Sequence, residues 1–321
     1  MREIYFDNSA TTKPYPEVVE LMMKTLTEDY GNPSSKHTKG FDAEKYFRHA
    51  REQVAATLKV KPKEIIFTSG GTESNNTVIF GTAMAKRKQG KHIISSAFEH
   101  AAIYRPLDVL VELGYEVTYL PVDQKGHISL DDLRAAIRPD TILVTIMTVN
   151  NEMGAIEPIE EIGRVVKECN PNTWFHTDAI QAYGKIPLRP KLQHVDMMSV
   201  SGHKLHGPKG VGFLYKDEKV RLRPLIYGGG QQEDMRSGTH DVPGIAGLGL
   251  AAEMACAHLE ENKAALEALK DYFIDSLETL DGVTINSERG ALSAPNILSV
   301  SFEKVRAEVL LHALEEKGIY V

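Results

Sequence analysis

Cysteine is scarce in this chain, with only Cys169 and Cys256 among 321 residues. Two thiols cannot build a disulfide framework, so the fold is expected to stand on its hydrophobic core in a reducing compartment. A basic excess is missing too. The 37 basic and 44 acidic side chains leave a formal charge of −7, which gives neither nucleic acid nor an anionic membrane an electrostatic reason to bind. No uncharged run approaches the ~18 residues a membrane helix needs. The start, Met1-Arg2-Glu3-Ile4-Tyr5-Phe6-Asp7-Asn8, lacks the basic-then-apolar order of a secretory signal. Internal repeats and low-complexity segments are absent. These absences describe a soluble, cytoplasmic protein with no membrane or nucleic-acid partner. A composition of 42% hydrophobic and 25% charged residues is ordinary for a globular chain. The length allows two domains or one large α/β unit.

What is present alternates. An apolar run at 64–68 ends in Ser69-Gly70-Gly71 and leads into a helical stretch at 73–88. Strand and helix are predicted again at 92–95 and 101–113. A strand at 115–120 precedes a helix at 129–138, opened by a Ser129 cap with Asp131 and Asp132 in the first turn. The nine uncharged residues 141–149 suit a strand buried on both faces. A helix at 158–169 starts on Pro158, where the missing N–H costs nothing. Short strands follow at 173–176, 195–200 and 210–215. This alternation predicts an α/β fold with a mainly parallel sheet covered on both sides. From about residue 243 the texture changes. One long Ala/Glu/Leu-rich helix is predicted to about 280, then strands at 283–286 and 297–302 and a helix at 306–317. The chain divides into an arm over 1–15 that packs with a small α+β domain over 260–321, and a large domain over 16–259.

Ligands of open α/β sheets bind at the carboxyl ends of strands, and three such ends carry chemistry. Thr68-Ser69-Gly70-Gly71-Thr72-Glu73 turns from strand into helix through two glycines. Free N–H groups, a favourable dipole and the Thr72 hydroxyl make it a phosphate cradle, or an ordinary tight turn capped by Thr72. His176-Thr177-Asp178-Ala179-Ile180-Gln181 delivers a carboxylate at a strand end, either as partner to a cation or as a helix cap. Val200-Ser201-Gly202-His203-Lys204-Leu205-His206-Gly207-Pro208-Lys209-Gly210 places a lysine where an amine of lowered pKa could form a Schiff base. A lone lysine is ordinarily a solvated surface residue; the dense Ser-Gly-His-Lys context argues otherwise. Together the three suit pyridoxal 5′-phosphate (PLP): a phosphate seat, a partner for the pyridinium nitrogen and an aldehyde anchor. No metal site is expected, because His203 and His206 have no cysteine or carboxylate at ligand spacing.

The same residues carry a resemblance. Tyr5-Phe6-Asp7-Asn8-Ser9-Ala10-Thr11-Thr12, Gly31-Asn32-Pro33-Ser34-Ser35, the 67–76 segment, Glu99-His100, Val149-Asn150-Asn151-Glu152-Met153-Gly154, the 176–182 and 201–212 segments and Met235-Arg236-Ser237-Gly238-Thr239 follow one another in order. Together they resemble the class V, fold-type I PLP enzymes, and within them the cysteine desulfurases of the NifS/IscS type rather than the Suf type. The resemblance implies a large domain with a seven-stranded, mainly parallel sheet and a smaller α+β domain. It implies that Lys204 holds PLP as a Schiff base and moves the Cα proton, with His100 stacked on the ring as acid–base. Asp178 is implied to pair with the ring nitrogen and Gln181 with the phenolic oxygen. Gly71, Thr72, Ser201, Gly202 and His203 fall to the phosphate region. Thr239 falls to the neighbouring subunit's phosphate in a homodimer. Asn150 is implied to lie over the cofactor near the substrate carboxylate.

The implied reaction takes L-cysteine to L-alanine and passes sulfur to an acceptor or iron–sulfur scaffold protein, for cluster or thio-cofactor assembly. In this family a cysteine on a C-terminal loop takes the sulfur, and an arginine further on clamps the substrate. Both are expected after residue 321. Gly318 suits a helix end, and Ile319-Tyr320-Val321 begins a strand without continuation, so the small domain reads as cut short. The 321 residues alone are then expected to bind PLP with little persulfide formation. Selenocysteine lysis and class V aminotransfer are the alternative activities. A catalytically silent PLP-binding dimer acting through protein contacts is the non-enzymatic one.

Overall fold

A computed structural model describes residues 3–321. In chain order the elements are β1 (Ile4–Tyr5), α1 (Pro16–Thr27), α2 (Thr38–Leu58), β2 (Ile65–Thr68), α3 (Gly71–Lys86), β3 (His92–Ser96), α4 (Ala101–Glu112), β4 (Glu116–Leu120), α5 (Leu130–Ala136), β5 (Thr141–Thr145), α6 (Ile159–Cys169), β6 (Trp174–Asp178), β7 (Met197–Ser201), β8 (Gly212–Lys216), α7 (Val242–Ala257), α8 (Leu259–Leu277), β9 (Val283–Ile285), β10 (Val300–Phe302), α9 (Ala307–Glu315) and β11 (Ile319–Tyr320).

Seven strands form one sheet in the order β2-β8-β7-β6-β5-β3-β4. Only β8 runs against its neighbours, β2 and β7; the other pairs are parallel. Strands β2, β3, β5 and β7 are buried along their whole length, as a parallel sheet covered on both faces requires. One cover packs Val78 and Ile79 of α3 and Ile103 and Leu107 of α4 against Ile93 and Leu143. The other sets Phe47 and Val54 of α2, Ile162 and Val166 of α6 and Leu248 of α7 against Phe67, Val144 and Phe213. Each such side chain contributes about 1.5–3 kcal/mol when fully buried.

Two local expectations are corrected. The strand over 141–149 ends at Thr145, although residues 146–149 stay buried and extended. Ile146 N and Thr148 N still donate to the His176 and Asp178 carbonyls, at 3.2 and 2.9 Å. The chain is leaving the sheet at the level where β6 delivers Asp178. The single helix over 243–280 is two, α7 and α8, bent by 70° at the one-residue break His258. Helix α7 is buried on nearly every side and crosses α2 so closely that a Cβ on Gly249 would stand 2.6 Å from Ala50 Cα. Helix α8 opens on Glu260 and Glu261 and stays largely exposed. No glycine or proline falls between residues 250 and 281, so the composition carries no sign of that join. Among the described residues no single helix is long and apolar enough to cross a membrane.

Ahead of residue 64, where the sequence pattern predicts no helix, lie α1 and α2, both packed against α7. Near the other end, β9 and β10 form an antiparallel pair, and β11 pairs in parallel with β1 through Ile4–Ile319 and Tyr5–Tyr320.

Candidate active site

A cleft of about 760 Å³ opens at the carboxyl ends of β2, β6 and β7 and takes in all three strand-end motifs. That volume is within the range of small-molecule sites. Its floor is Asp178, the last residue of β6, only 4% exposed. Asp178 Oδ1 accepts from Ile180 N at 3.0 Å and Oδ2 from Asn75 Nδ2 at 2.7 Å. Burial raises the carboxyl pKa, against the lowering pull of these two donors and of His100 and Lys204. A carboxylate so placed has hydrogen bonds but no cation in contact, and a protonated ring nitrogen is the kind of partner that would relieve it.

One end of the cleft is the start of α3. Gly70 adopts φ 144°, open to glycine, and α3 begins at Gly71 with no side chain capping its N-terminus. A Cβ on Gly71 would stand 2.0 Å from Ile180 Cδ1, so any larger residue there would have to displace the tip of that side chain. Ser69 N donates to Glu73 Oε2 at 2.8 Å, and Arg236 Nε holds the other Glu73 oxygen at 3.0 Å. The turn is thereby braced while Thr72, Ser201 and His203 face the cleft. Burial, with Lys204 and Lys209 adding to it, takes the His203 pKa down to about 4, so the ring is neutral at pH 7.

Lys204 closes the 3-10 turn Gly202–Lys204 that follows β7. Its Nζ donates to the carbonyls of Ser9 and, at 2.8 Å, Ala10. Burial lowers the amine pKa, with Asp7 and Asp178 opposing. Gln181 Nε2 donates to the same Ser9 carbonyl at 2.9 Å. His100 caps α4: its Nδ1 accepts from Ala102 N at 3.0 Å, which puts the proton of the neutral ring on Nε2.

The cleft therefore collects Gly71, Thr72, His100, Asp178, Gln181, Ser201, His203 and Lys204. Asn150 and Gly202, proposed for it on sequence grounds, lie elsewhere, and Thr239 was assigned to a neighbouring subunit's site. The Asn150 carboxamide is consumed by its own loop: Oδ1 accepts from Glu152 N and Met153 N, both at 2.8 Å, and Nδ2 donates to Phe98 O at 3.2 Å. Its neighbours Asn151 and Glu152 line the cleft instead. Gly202 lies behind the wall, its N–H donating to Val211 O at 2.9 Å, and a Cβ there would meet Pro208 O at 2.9 Å. Thr239 is exposed and outside the cleft.

Sequence reasoning gave no role to Asn75, which braces Asp178 from α3. The signal was present: two asparagines in a helix interior are poor formers, and Asn75 is fully buried. Glu99 was also passed over. Its Oε1 accepts from Ser96 Oγ at 2.9 Å and Met147 N at 2.8 Å, tying the His100 turn to the segment that follows β5, and burial raises its pKa to about 8. Neither cysteine is a cleft residue; Cys169 ends α6 and Cys256 lies in α7. Among the described residues no group of three His, Cys, Asp or Glu side chains is disposed to hold a metal ion.

A lysine of depressed pKa, a buried carboxylate and an uncapped helix N-terminus in one cleft fit pyridoxal phosphate, and define a fold-type I PLP enzyme. Residues 4–321 match the class-V aminotransferase family, to which the chain belongs and whose cofactor is PLP. Within that family its relatives are cysteine desulfurases. It is 46% identical over 319 residues to the cysteine desulfurase IscS of Methanosarcina thermophila, covering 99% of this chain and 78% of that one. Against the cysteine desulfurase IscS of Dictyoglomus turgidum it is 45% identical, covering 100% and 81%. A solved NifS-like protein matches with a TM-score of 0.97 at 43% identity, over 100% of this chain and 87% of that one.

Proposed function

We propose that this protein is a PLP-dependent cysteine desulfurase, in which L-cysteine and an acceptor thiol give L-alanine and a persulfide. The observation that carries the reading is the convergence on one cleft of the Lys204 amine, the Asp178 carboxylate and the α3 N-terminus, in a chain whose relatives bear that name.

Bound PLP supplies an electron sink for the bond changes at the substrate's Cα and Cβ. The remaining work belongs to the chain. Gly71, Thr72, Ser201 and His203 seat the phosphate at the start of α3. Asp178, held by Asn75 and the Ile180 N–H, keeps the ring nitrogen protonated. Lys204 is the covalent anchor; its lowered amine pKa leaves a larger neutral fraction to act as nucleophile and later to move the Cα proton. His100 Nε2 is the donor on the opposing wall. Asn151, which lines the cleft wall, would serve the substrate side in place of Asn150. Neither Cys169 nor Cys256 lines the cleft, so the acceptor thiol has to enter it from outside these lining residues. A sulfur-acceptor or iron–sulfur scaffold protein is the partner proposed to draw on it. The exposed Thr239 suits a homodimer in which it reaches the neighbouring subunit's phosphate.

The test is alanine release from L-cysteine with PLP and added dithiothreitol. The parent is expected to release alanine and sulfide and Lys204→Ala to release neither. Alanine release that survives Lys204→Ala would overturn the proposal. Faster release from selenocysteine than from cysteine would reassign the substrate.

A further inference from the structure

The turn that carries Lys204 does not support itself. It is a single 3-10 turn, and His206 just beyond it has φ 61°, a left-handed conformation that a side-chain-bearing residue keeps only when its surroundings impose it. The backbone carbonyls of residues 203, 204 and 206 all accept from donors outside the turn. His203 O takes Thr12 N at 2.8 Å and Thr12 Oγ1 at 2.9 Å. Lys204 O takes Lys185 Nζ at 2.7 Å, and His206 O takes Tyr15 N at 3.1 Å. Thr12 Oγ1 also accepts from His206 N at 2.7 Å. One buried hydroxyl, 2% exposed as a residue, thus bonds the chain on both sides of the lysine. The residues just before it present the Ser9 and Ala10 carbonyls to Lys204 Nζ, and Ser9 O also holds Gln181. The same short segment grips both the turn and the amine.

We propose that Thr12 is the positioning residue for Lys204, pinning segment 7–13 to the lysine turn and so setting where the amine stands. This rests on the reading of Lys204 as cofactor anchor. Thr12→Val keeps the shape and deletes the hydroxyl, leaving the His206 N–H without its acceptor and His203 O with one donor fewer. Two readouts report on the anchor rather than on overall stability: the rate of cofactor loss, and the pH midpoint of the long-wavelength absorbance of the lysine-bound cofactor. Thr12→Val is expected to lose cofactor about tenfold faster and to move the midpoint. Thr12→Ser, which keeps the hydroxyl, is expected to stay within about twofold of the parent. Should Thr12→Val fail to fold, Thr12→Cys, a weak donor and acceptor, is expected to fall between the two. Unchanged cofactor loss and midpoint in Thr12→Val, or in Thr12→Cys where that is the variant that folds, would overturn the inference. Lys204→Ala separates the two claims: if it keeps the long-wavelength absorbance, the anchor reading fails whatever Thr12 does.

Discussion

Two lysines, Lys204 half-buried and Lys270 buried, donate to oxygen atoms in different regions of the molecule and differ in what lies beyond them. Lys204 Nζ donates to the Ser9 and Ala10 carbonyls at the edge of an open cleft. Lys270 Nζ, on α8, donates to Ser293 Oγ at 2.6 Å and Ala294 O at 2.9 Å and is walled off, with 8% of the residue exposed. Burial lowers both amines, Lys270 to about 8. Lys86, over the Trp174 ring, and Lys185, behind the Lys204 turn, are likewise lowered to about 8. A perturbed amine is therefore no mark of a reactive one. Access to a cleft that also holds a carboxylate and an anion seat makes the distinction. Lys270 serves a different end. It clamps residues 293–294, where Ala294 N donates to Gly154 O at 2.7 Å and Ser293 bridges to Ala155. That loop carries Asn151 and Glu152 into the cleft wall.

Four substitutions probe the contrast, ranked by their effect on turnover. Lys204→Ala is expected to cut alanine release by about 10³-fold or more while leaving the urea midpoint of the cofactor-free protein nearly unchanged. Asp178→Asn is expected to slow turnover by about 10²–10³-fold, measured with saturating PLP so that lost affinity is not mistaken for lost chemistry. Lys270→Met should show the reverse pattern. Its buried oxygen partners lose their donor at a cost of about 1–3 kcal/mol in urea unfolding, with turnover per folded molecule retained. Loss of cofactor absorbance in Lys270→Met would break the comparison outright. Glu99→Gln is expected to alter turnover least and pH dependence most. The folded carboxyl holds its proton up to about 8, whereas its ordinary pKa is 4.5. The folded state thus binds a proton that the unfolded chain releases, and stability falls as pH rises through that window. Parent and Glu99→Gln should match below the window, and the variant should be the more stable at its upper end, read by thermal unfolding across the range.

Much of this was legible because its signals are local. The Gly70-Gly71 turn, the Ser129 cap and the uncharged run from Thr141 each declare themselves within a few residues, as do the short strands β6 and β7 that place Asp178 and the Lys204 turn at the carboxyl edge of the sheet. What stayed hidden depends on partners distant in sequence. Thr12 meets His203 and His206 across some 190 residues, and nothing in the pattern around Thr12 announces that contact. The choice between Asn150 and Asn151 turned on which carboxamide the loop uses to close itself. The 70° bend at His258 separates a buried helix from an exposed one, and no glycine or proline marks it.

The parallel pair of β1 and β11 has a consequence in time. Ile4 and Tyr5 leave the ribosome about 315 residues ahead of their partners Ile319 and Tyr320. At translation rates of about 5–20 residues per second, the outer end of the lysine-gripping segment waits roughly 15–60 s for its mate. The sheet, the α3 N-terminus and the Lys204 turn are all synthesised within that interval. In a nascent chain the α3 N-terminus and the Lys204 turn are therefore both made before β1 has a strand to pair with.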